Sequence, residues 1–181
     1  MITKSERVKK IHDTFVLLMQ AAKRRFVQQL QVYGLTLPQF AALAALSAYG
    51  QACTMSDLTN VTFHDPPTMT GVIDRLVRMG LVQRTRSQTD RRVVLVEATP
   101  AGAELVQKIE TTLMHKAVES YDGLTEEQLD LLDQLLRHLL RIHLKEYRSL
   151  PDADIETEIH QLEKFVQDPI CYMKSDNAKP F

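Results

Sequence analysis

Six arginines lie close together in a chain whose overall charge is nearly zero. Residues 62–96 hold six arginines against three aspartates, which leaves +3, whereas the 181 residues together carry −1. A local basic surface matters more to a polyanion than the total charge does. The arginines are Arg75, Arg78, Arg84, Arg86, Arg91 and Arg92. Their clustering indicates a surface that contacts nucleic-acid phosphates.

The segment around the first of these arginines carries groups that suit base edges. Asp65 is a good helix N-cap and Pro66 fits the first helical position, so a helix is predicted over residues 66–79. Steps of 100° give it a core face of Met69, Val72, Ile73, Leu76 and Val77. The opposite face and its flanks hold Pro67, Thr68, Thr70, Gly71, Asp74, Arg75 and Arg78. Threonine can hydrogen-bond a base or give its methyl group to thymine, and the two arginines further along favour phosphate.

Gly71 occupies an exposed interior position of that predicted helix. A glycine there costs roughly 1 kcal/mol of helix stability relative to alanine. Close approach to another surface is one physical reason to keep it.

The neighbouring segments supply the shape that a duplex groove requires. A short helix over residues 56–61, a four-residue turn and the helix at 66–79 have the spacing of a helix-turn-helix, whose second helix meets base edges with its first half. Two β-branched runs at 82–85 and 93–96 predict a hairpin with a polar tip. Arg84 and Arg86 favour phosphate. The tip sequence Asp90-Arg91-Arg92 suits a minor groove, with Asp90 orienting a neighbouring guanidinium.

Longer helices flank this segment. Apolar residues recur at steps of three and four over residues 4–33, and Gly34 ends that helix. Further helices are predicted from Thr36, from Thr99 to about residue 121, and behind a capping box at 125–128. The last has an apolar stripe wider than one contact needs, so we expect two buried surfaces, one against another subunit. Beyond residue 150 the chain carries −4, with one more helix near residues 155–166 and a disordered end.

Several function classes are disfavoured by what the sequence lacks. No run of about 18 apolar residues and no apolar signal region occur, so we expect a cytoplasmic protein with no membrane segment. No phosphate-binding glycine loop, nucleophile motif or metal-binding motif occurs, so we expect no enzyme activity, no cofactor and no metal. Cys53 and Cys171 are too few and too far apart in sequence for a disulfide framework.

In their order and spacing, several short motifs resemble the winged helix-turn-helix of the MarR (multiple antibiotic resistance regulator) family. They are residues 56–61, 67–70, 73–76, 80–82, Arg84, 90–92 and 99–102. The resemblance covers roughly residues 8–147. It implies a mainly α fold with a small β-hairpin wing, in which the winged helix-turn-helix is flanked by N- and C-terminal dimerisation helices.

The resemblance also implies a function. Members of this family are dimeric transcriptional regulators that bind pseudo-palindromic double-stranded DNA operators and often release them when a small, frequently aromatic ligand binds. Carried over to this chain, the recognition helix is 66–79 and the wing is 84–94. The expected DNA-binding residues are Ser56, Pro67, Thr68, Thr70, Gly71, Arg75, Arg78, Arg84, Arg86, Asp90, Arg91 and Arg92. We therefore expect a homodimeric, ligand-responsive repressor.

The same resemblance suggests four parts of the chain. They are an N-terminal dimerisation helix (1–35), the DNA-binding domain (36–98), C-terminal dimerisation helices (99–150) and an acidic extension (151–181). The pair Pro66-Pro67 departs from the usual helix entry and could change which residues reach bases. The extension exceeds the common family core, and could add a dimer contact or cover the basic surface.

Two other functions stay open at this point. The net charge of −1 and the acidic extension would fit a winged-helix dimer that binds proteins instead of DNA. A redox switch would use Cys53, near the entry to the helix-turn-helix. A ligand cavity beside the first helix could be lined by His12, Phe15, Met19 or Phe40, but such residues more often form ordinary core, so no ligand residue is assigned.

Overall fold

The computed structural model describes residues 3–62, 65–87, 93–148 and 150–167. Within these ranges the element order is α1 (Lys4–Val32), α2 (Leu37–Tyr49), β1 (Cys53–Thr54), α3 (Met55–Thr62), α4 (Pro66–Arg78), β2 (Val82–Arg86), β3 (Val94–Ala98), α5 (Pro100–Glu119), α6 (Glu126–Arg148) and α7 (Asp152–Gln167). The mainly helical fold with a small wing is therefore confirmed.

The helix caps predicted from the sequence form where they were expected. The Asp65 carboxylate accepts a hydrogen bond from the backbone N–H of Thr68 at 3.0 Å, which starts α4. At the start of α3, Thr54 Oγ1 accepts from the Asp57 N–H at 3.1 Å, and the Asp57 carboxylate accepts from the Thr54 N–H at 3.0 Å. The remaining differences are small: α3 is one residue longer at each end, α4 stops at Arg78, and α5 ends at Glu119.

The wing has one strand more than the sequence predicted. Its sheet is antiparallel in the order β1-β3-β2, with Cys53 opposite Val96 and Arg84 opposite Val96 on the other side. Strand β3 also extends further towards α5 than the β-branched run at 93–96 suggested, because the register continues to the pair Val82 and Ala98. Strand β1 leads directly into α3, so its pairing with β3 connects the start of α3 to the middle of the wing.

One hydrophobic core joins the helix-turn-helix, the wing and α5. Its buried members come from every element from α1 to α5. They include Leu30, Leu43, Leu46, Leu58, Met69, Ile73, Leu76, Val96 and Ile109. The core face predicted for α4 is confirmed, since Met69, Ile73 and Leu76 are inaccessible to solvent.

Helix α1 packs onto its own chain only near its C-terminal end. Leu30 is fully buried, and Phe26 meets Phe40 edge to face, with ring centroids 5.7 Å apart. Residues 3–15 are all exposed. At 1.5 Å per residue the 29-residue helix is about 44 Å long, so much of its length has no partner within the described chain.

Helix α7 folds back along α6. Leu144 of α6 and Ile155, Ile159 and Leu162 of α7 form a small buried cluster. Two ion pairs flank it, Arg137 with Glu163 at 2.7 Å and Arg141 with Glu156 at 2.6 Å. The second apolar side of α6 remains exposed. The wide stripe on α6 therefore has two sides, of which this chain covers one.

In the part of the chain that the structure describes, no single helix is long and apolar enough to cross a membrane. Helices α1 and α2 reach that length and composition only as a pair, and they are bent by 75° relative to each other.

The start of α5 is seated on the turn between α4 and β2. Gly80 adopts φ +73°, and its carbonyl accepts a hydrogen bond from the Thr99 hydroxyl at 2.8 Å. The Leu81 carbonyl accepts from the Thr99 N–H at 3.0 Å. A Cβ atom on Gly102 would overlap that same Leu81 carbonyl and lie 3.1 Å from Leu43 Cδ1. Glycine is therefore needed at residue 102 for α5 to approach the turn.

We expect Gly102→Ala to lower the free energy of unfolding by about 1–3 kcal/mol, the usual cost of adding atoms to a packed site. Urea unfolding followed by circular dichroism measures this. Gly123→Ala is the matched control, because a Cβ at residue 123 would meet nothing within 4 Å. Equal stability of Gly102→Ala and the unchanged protein would contradict the seating of α5.

Candidate nucleic-acid interface

Helix α4 presents one exposed polar face beside its buried one. Pro67, Thr68, Thr70 and Gly71 are exposed in its first two turns, and Arg75 and Arg78 are exposed in its last turn. The predicted face is therefore on the surface as a continuous strip along the helix. Its order, from small uncharged groups to arginines, is the one that base contact followed by phosphate contact requires.

Both threonines of this face donate their hydroxyl protons within the helix. Thr68 Oγ1 donates to the Asp65 carboxylate at 2.7 Å, and Thr70 Oγ1 donates to the Pro66 carbonyl at 2.9 Å. These bonds fix each χ1 angle. What each side chain then offers outward is a methyl group and the lone pairs of its oxygen.

An ion pair joins the wing to α4. Arg84 Nη1 of β2 lies 2.5 Å from Asp74 Oδ1 of α4, and the two side chains are 35% and 47% exposed. An exposed pair of this kind contributes at most about 1 kcal/mol to stability. The main effect of the ion pair is to hold the base of the wing against α4. It also neutralises one of the arginines that the sequence assigns to phosphate.

The other arginines keep their charge available. Arg78 donates from Nε to the Asp74 carbonyl at 3.3 Å, which leaves its outer nitrogens exposed. Within the described ranges, the side chains of Arg75 and Arg86 make no hydrogen bond or ion pair. Arg86 follows Arg84 by two residues on β2, so both point to the same face of the strand. A positive edge thus runs from the end of α4 to the wing.

Ser56 lies exposed in the first turn of α3. Its backbone carbonyl accepts the Thr59 hydroxyl at 2.9 Å. Asp90, Arg91 and Arg92, which the sequence assigns to the wing tip, lie outside the described residues. So does Cys171.

A groove of about 520 Å³ lies between α1 and α5. Its walls include Met19, Phe26, Leu113 and Tyr121. Of the four residues considered for a ligand cavity, Met19 lines this groove, and Phe40 packs behind it against Phe26. His12 and Phe15 are exposed further along α1 and do not line it.

Two cations border the groove without a carboxylate beside them. Arg25 donates to Ser120 Oγ at 2.7 Å and to the Lys116 carbonyl at 3.1 Å. Lys116 Nζ donates to Gln29 Oε1 at 2.6 Å. Neither forms an ion pair with any described residue. Sequence reasoning missed this pair because the contact spans more than 85 residues. The available signal was that Arg25 has no acidic residue three or four positions away on its helix.

The Cys53 thiol has the properties of a core group. Its side chain is buried, and burial together with the nearby Asp57 carboxylate raises the thiol pKa to about 11. A thiol with a raised pKa holds little thiolate, the reactive form, at neutral pH. Among the described residues, no three or more His, Cys, Asp or Glu side chains are grouped so that they could hold a metal ion.

Comparison with known proteins places the chain among transcriptional regulators. The family model described as "MarR family" matches residues 33–93. The chain is 30% identical over 103 residues to the organic hydroperoxide resistance transcriptional regulator of Bacillus subtilis. This match covers 55% of this chain and 69% of the relative. It is 27% identical over 134 residues to an uncharacterised regulator of the same organism, YsmB, covering 74% of this chain and 91% of the relative.

The fold is similar to that of a solved structure. The YusO protein from Bacillus subtilis superposes with a TM-score of 0.69 at 22% identity, covering 76% of this chain and 96% of that one. At this identity the likeness concerns the fold.

Gly71 is exposed in the interior of α4. A Cβ at residue 71 would meet nothing within 4 Å, so no contact inside the described chain requires glycine there. We expect Gly71→Ala to raise the free energy of unfolding by up to about 1 kcal/mol, because alanine is the better helix former. Urea unfolding measures the change.

The same variant should bind duplex DNA more weakly, and Gly71→Leu more weakly still, if α4 approaches the duplex at this point. Fluorescence anisotropy with a labelled duplex measures both. Gly123→Ala serves as control and should bind normally. A stabilised Gly71→Ala that binds DNA as tightly as the unchanged protein would mean that the glycine has no part in the interface.

Proposed function

Because the chain belongs to the MarR family of DNA-binding transcriptional regulators, we propose that it is a homodimeric repressor that a small organic anion releases from its operator. The operator in this proposal is double-stranded and pseudo-palindromic. One observation carries the proposal: a broad apolar surface on the outer helices remains exposed in the single chain, beside a DNA-binding unit that is fully packed.

The exposed apolar surface belongs to α1, α5 and α6. Its exposed large side chains include Ile11, Leu18, Met114, Val118, Leu131 and Leu135, each between 53% and 66% exposed. Monomeric proteins rarely expose apolar patches of this extent, and such patches commonly mark protein interfaces. We infer that a second copy covers this surface. The two recognition helices would then be held at a fixed spacing, as an operator with two half-sites requires.

The four parts suggested by the sequence fit this arrangement. Residues 1–35 and 99–150 would form the dimer, and residues 36–98 would bind DNA. The described part of the extension 151–181 lies along α6 as α7, and so would support a dimerisation helix from behind. This position favours the dimer role over the role of a cover on the basic surface.

The DNA contacts follow from what each part of the interface offers. Pro67, Thr68, Thr70 and Gly71 would face base edges. Ser56, Arg75, Arg78 and Arg86 would contact phosphates. Arg84 would act mainly by holding the wing through Asp74, with its remaining nitrogens free to reach a phosphate. The tip residues Asp90, Arg91 and Arg92 keep their assignment to the minor groove.

Ligand release would act through the groove between α1 and α5. Arg25 and Lys116 have no carboxylate partner among the described residues, so an organic anion with an apolar, often aromatic, body fits the groove chemically. Such a ligand would replace the bonds from Arg25 to Ser120 and from Lys116 to Gln29, and so change how α1 lies against α5. Because α5 is seated on the turn after α4, that change would move the recognition helix. A ligand that favours the altered arrangement would lower DNA affinity.

A redox switch through Cys53 is not favoured. Its thiol is buried and its pKa is about 11, whereas a sensor cysteine needs an accessible thiolate. The similarity to a hydroperoxide-resistance regulator therefore does not carry that chemistry over to Cys53.

Operator binding tests the proposal. We expect a duplex from the promoter region of the gene to bind with an affinity that falls steeply with salt. The logarithm of the affinity should fall against the logarithm of the salt concentration with a slope of about −0.9 per phosphate contact.

Arg75→Ala should weaken binding to all duplexes and reduce that slope by about one. Anisotropy titrations at several salt concentrations measure both quantities. Lys9→Ala is the control, since it removes an exposed cation from the part of α1 that does not pack on the DNA-binding unit. No binding, or binding insensitive to salt, would refute the proposal.

The dimer can be tested separately. Leu135→Glu places a charge in the exposed apolar stripe of α6, so we expect it to shift the protein from dimer to monomer and to weaken operator binding at least tenfold. Sedimentation velocity measures the oligomeric state. Gln134→Glu adds the same charge next to the stripe and should remain dimeric. Dimeric Leu135→Glu would place the interface elsewhere.

A further inference from the structure

The base-facing half of α4 lacks the usual hydrogen-bond donors. Its exposed residues are Pro66, Pro67, Thr68, Thr70 and Gly71. Arginine and lysine recognise guanine, and asparagine and glutamine recognise adenine, by donating hydrogen bonds to base edges. None of these four residue types occurs between residues 65 and 74. This half of the helix therefore has no side chain for bidentate base recognition.

The two hydroxyl groups do not supply the missing donors. Thr68 Oγ1 donates to the Asp65 carboxylate at 2.7 Å, and Thr70 Oγ1 donates to the Pro66 carbonyl at 2.9 Å. Turning either proton towards a base would leave its present acceptor without that bond. The Thr68 hydroxyl would resist this more strongly, because hydrogen bonds to a carboxylate are stronger than those between neutral groups. Outward, the surface consists of methyl groups, proline CH₂ groups and oxygen lone pairs.

Base chemistry determines which pairs this surface can match. In the major groove each base pair presents two acceptors and one amino donor: guanine N7 and O6 with cytosine N4, or adenine N7 and thymine O4 with adenine N6. An acceptor surface can match only the amino group of either pair, so the thymine methyl group must make the distinction. An A·T pair presents the adenine N6 amino group as a donor and the thymine C5-methyl group. A cytosine amino group could also meet a threonine oxygen, but a G·C pair has no methyl group for the apolar part. The match is therefore to A·T pairs.

We propose that α4 recognises A·T base pairs through their thymine methyl groups, which pack against Pro67 and the γ-methyl groups of Thr68 and Thr70. The adenine amino group donates to a threonine oxygen. G·C pairs are disfavoured at these positions because they have no methyl group to pack there, and the arginines of α4 contribute only phosphate contacts. The inference rests on the proposed function, since it assigns the base chemistry of the same DNA-binding face.

The test begins with selection of 30-base-pair duplexes from a random library by the full-length protein. The selected inverted repeat is the probe, and each of its thymines is replaced singly by deoxyuridine, which removes only the methyl group. We expect about a fourfold loss of affinity at each thymine under α4, the fold-change that corresponds to about 0.8 kcal/mol for one buried carbon group.

Matched substitutions identify the side chains involved. Thr68→Ser and Thr70→Ser keep the hydroxyl and remove the γ-methyl group, so each should reduce the deoxyuridine penalty at one position. Thr70→Val keeps the methyl group, so the affinity lost on replacing thymine by deoxyuridine should be the same with this variant as with the unchanged protein. Thr111→Ser is the control: Thr111 is exposed on α5 and its hydroxyl makes the same bond to the fourth residue back, at 2.8 Å to Gln107. It should leave the penalty unchanged.

The experiment distinguishes a failure of this inference from a failure of the proposed function. Selected half-sites with G·C pairs under α4, sensitive to 7-deazaguanine and insensitive to deoxyuridine, would overturn this inference while leaving sequence-specific binding intact. A penalty unchanged in both serine variants would also overturn it. Enrichment of no sequence would overturn the proposed function, and this inference with it.

Discussion

The seating of α5 on the turn after α4 is the constraint on which the rest of the structure depends. Gly80 makes the turn, Thr99 bonds to both turn carbonyls, and Gly102 leaves room for the backbone of Leu81. Through these contacts α5 is joined to α4 and the wing, with which it shares one hydrophobic core. Since α5 continues towards the exposed outer helices, the DNA-facing surface is mechanically joined to the surface that we assign to the dimer.

A single chain is well packed at one end and poorly packed at the other. The core around α2 and α4 is closed, whereas most apolar residues of α1 and one side of α6 face solvent. Helix α7 covers the other side of α6 and is held by two exposed ion pairs. We infer that α7 makes α6 rigid enough to serve as an interface. The groove between α1 and α5 lies between the two ends, where a ligand could influence both.

Sequence reasoning succeeded where the signal is local. Proline at the first helical position, a capping aspartate or threonine and apolar steps of three and four predicted the helices to within about three residues. It missed β1, because two residues are too few to show alternation. It also missed the Asp74–Arg84 pair and the groove cations, since side chains distant in sequence meet only once the elements pack. The roles of the DNA-facing residues remain predictions, but their exposure along α4 agrees with the helical steps.

We propose that two copies of this chain present their α4 helices to successive turns of one face of the DNA. A hydroxyl-radical footprint of the protein on its selected operator tests this most directly. We expect two symmetry-related protected regions whose centres lie about 10 base pairs apart, which is one helical turn. A single protected region without a symmetric counterpart, or two regions on opposite faces of the duplex, would contradict it.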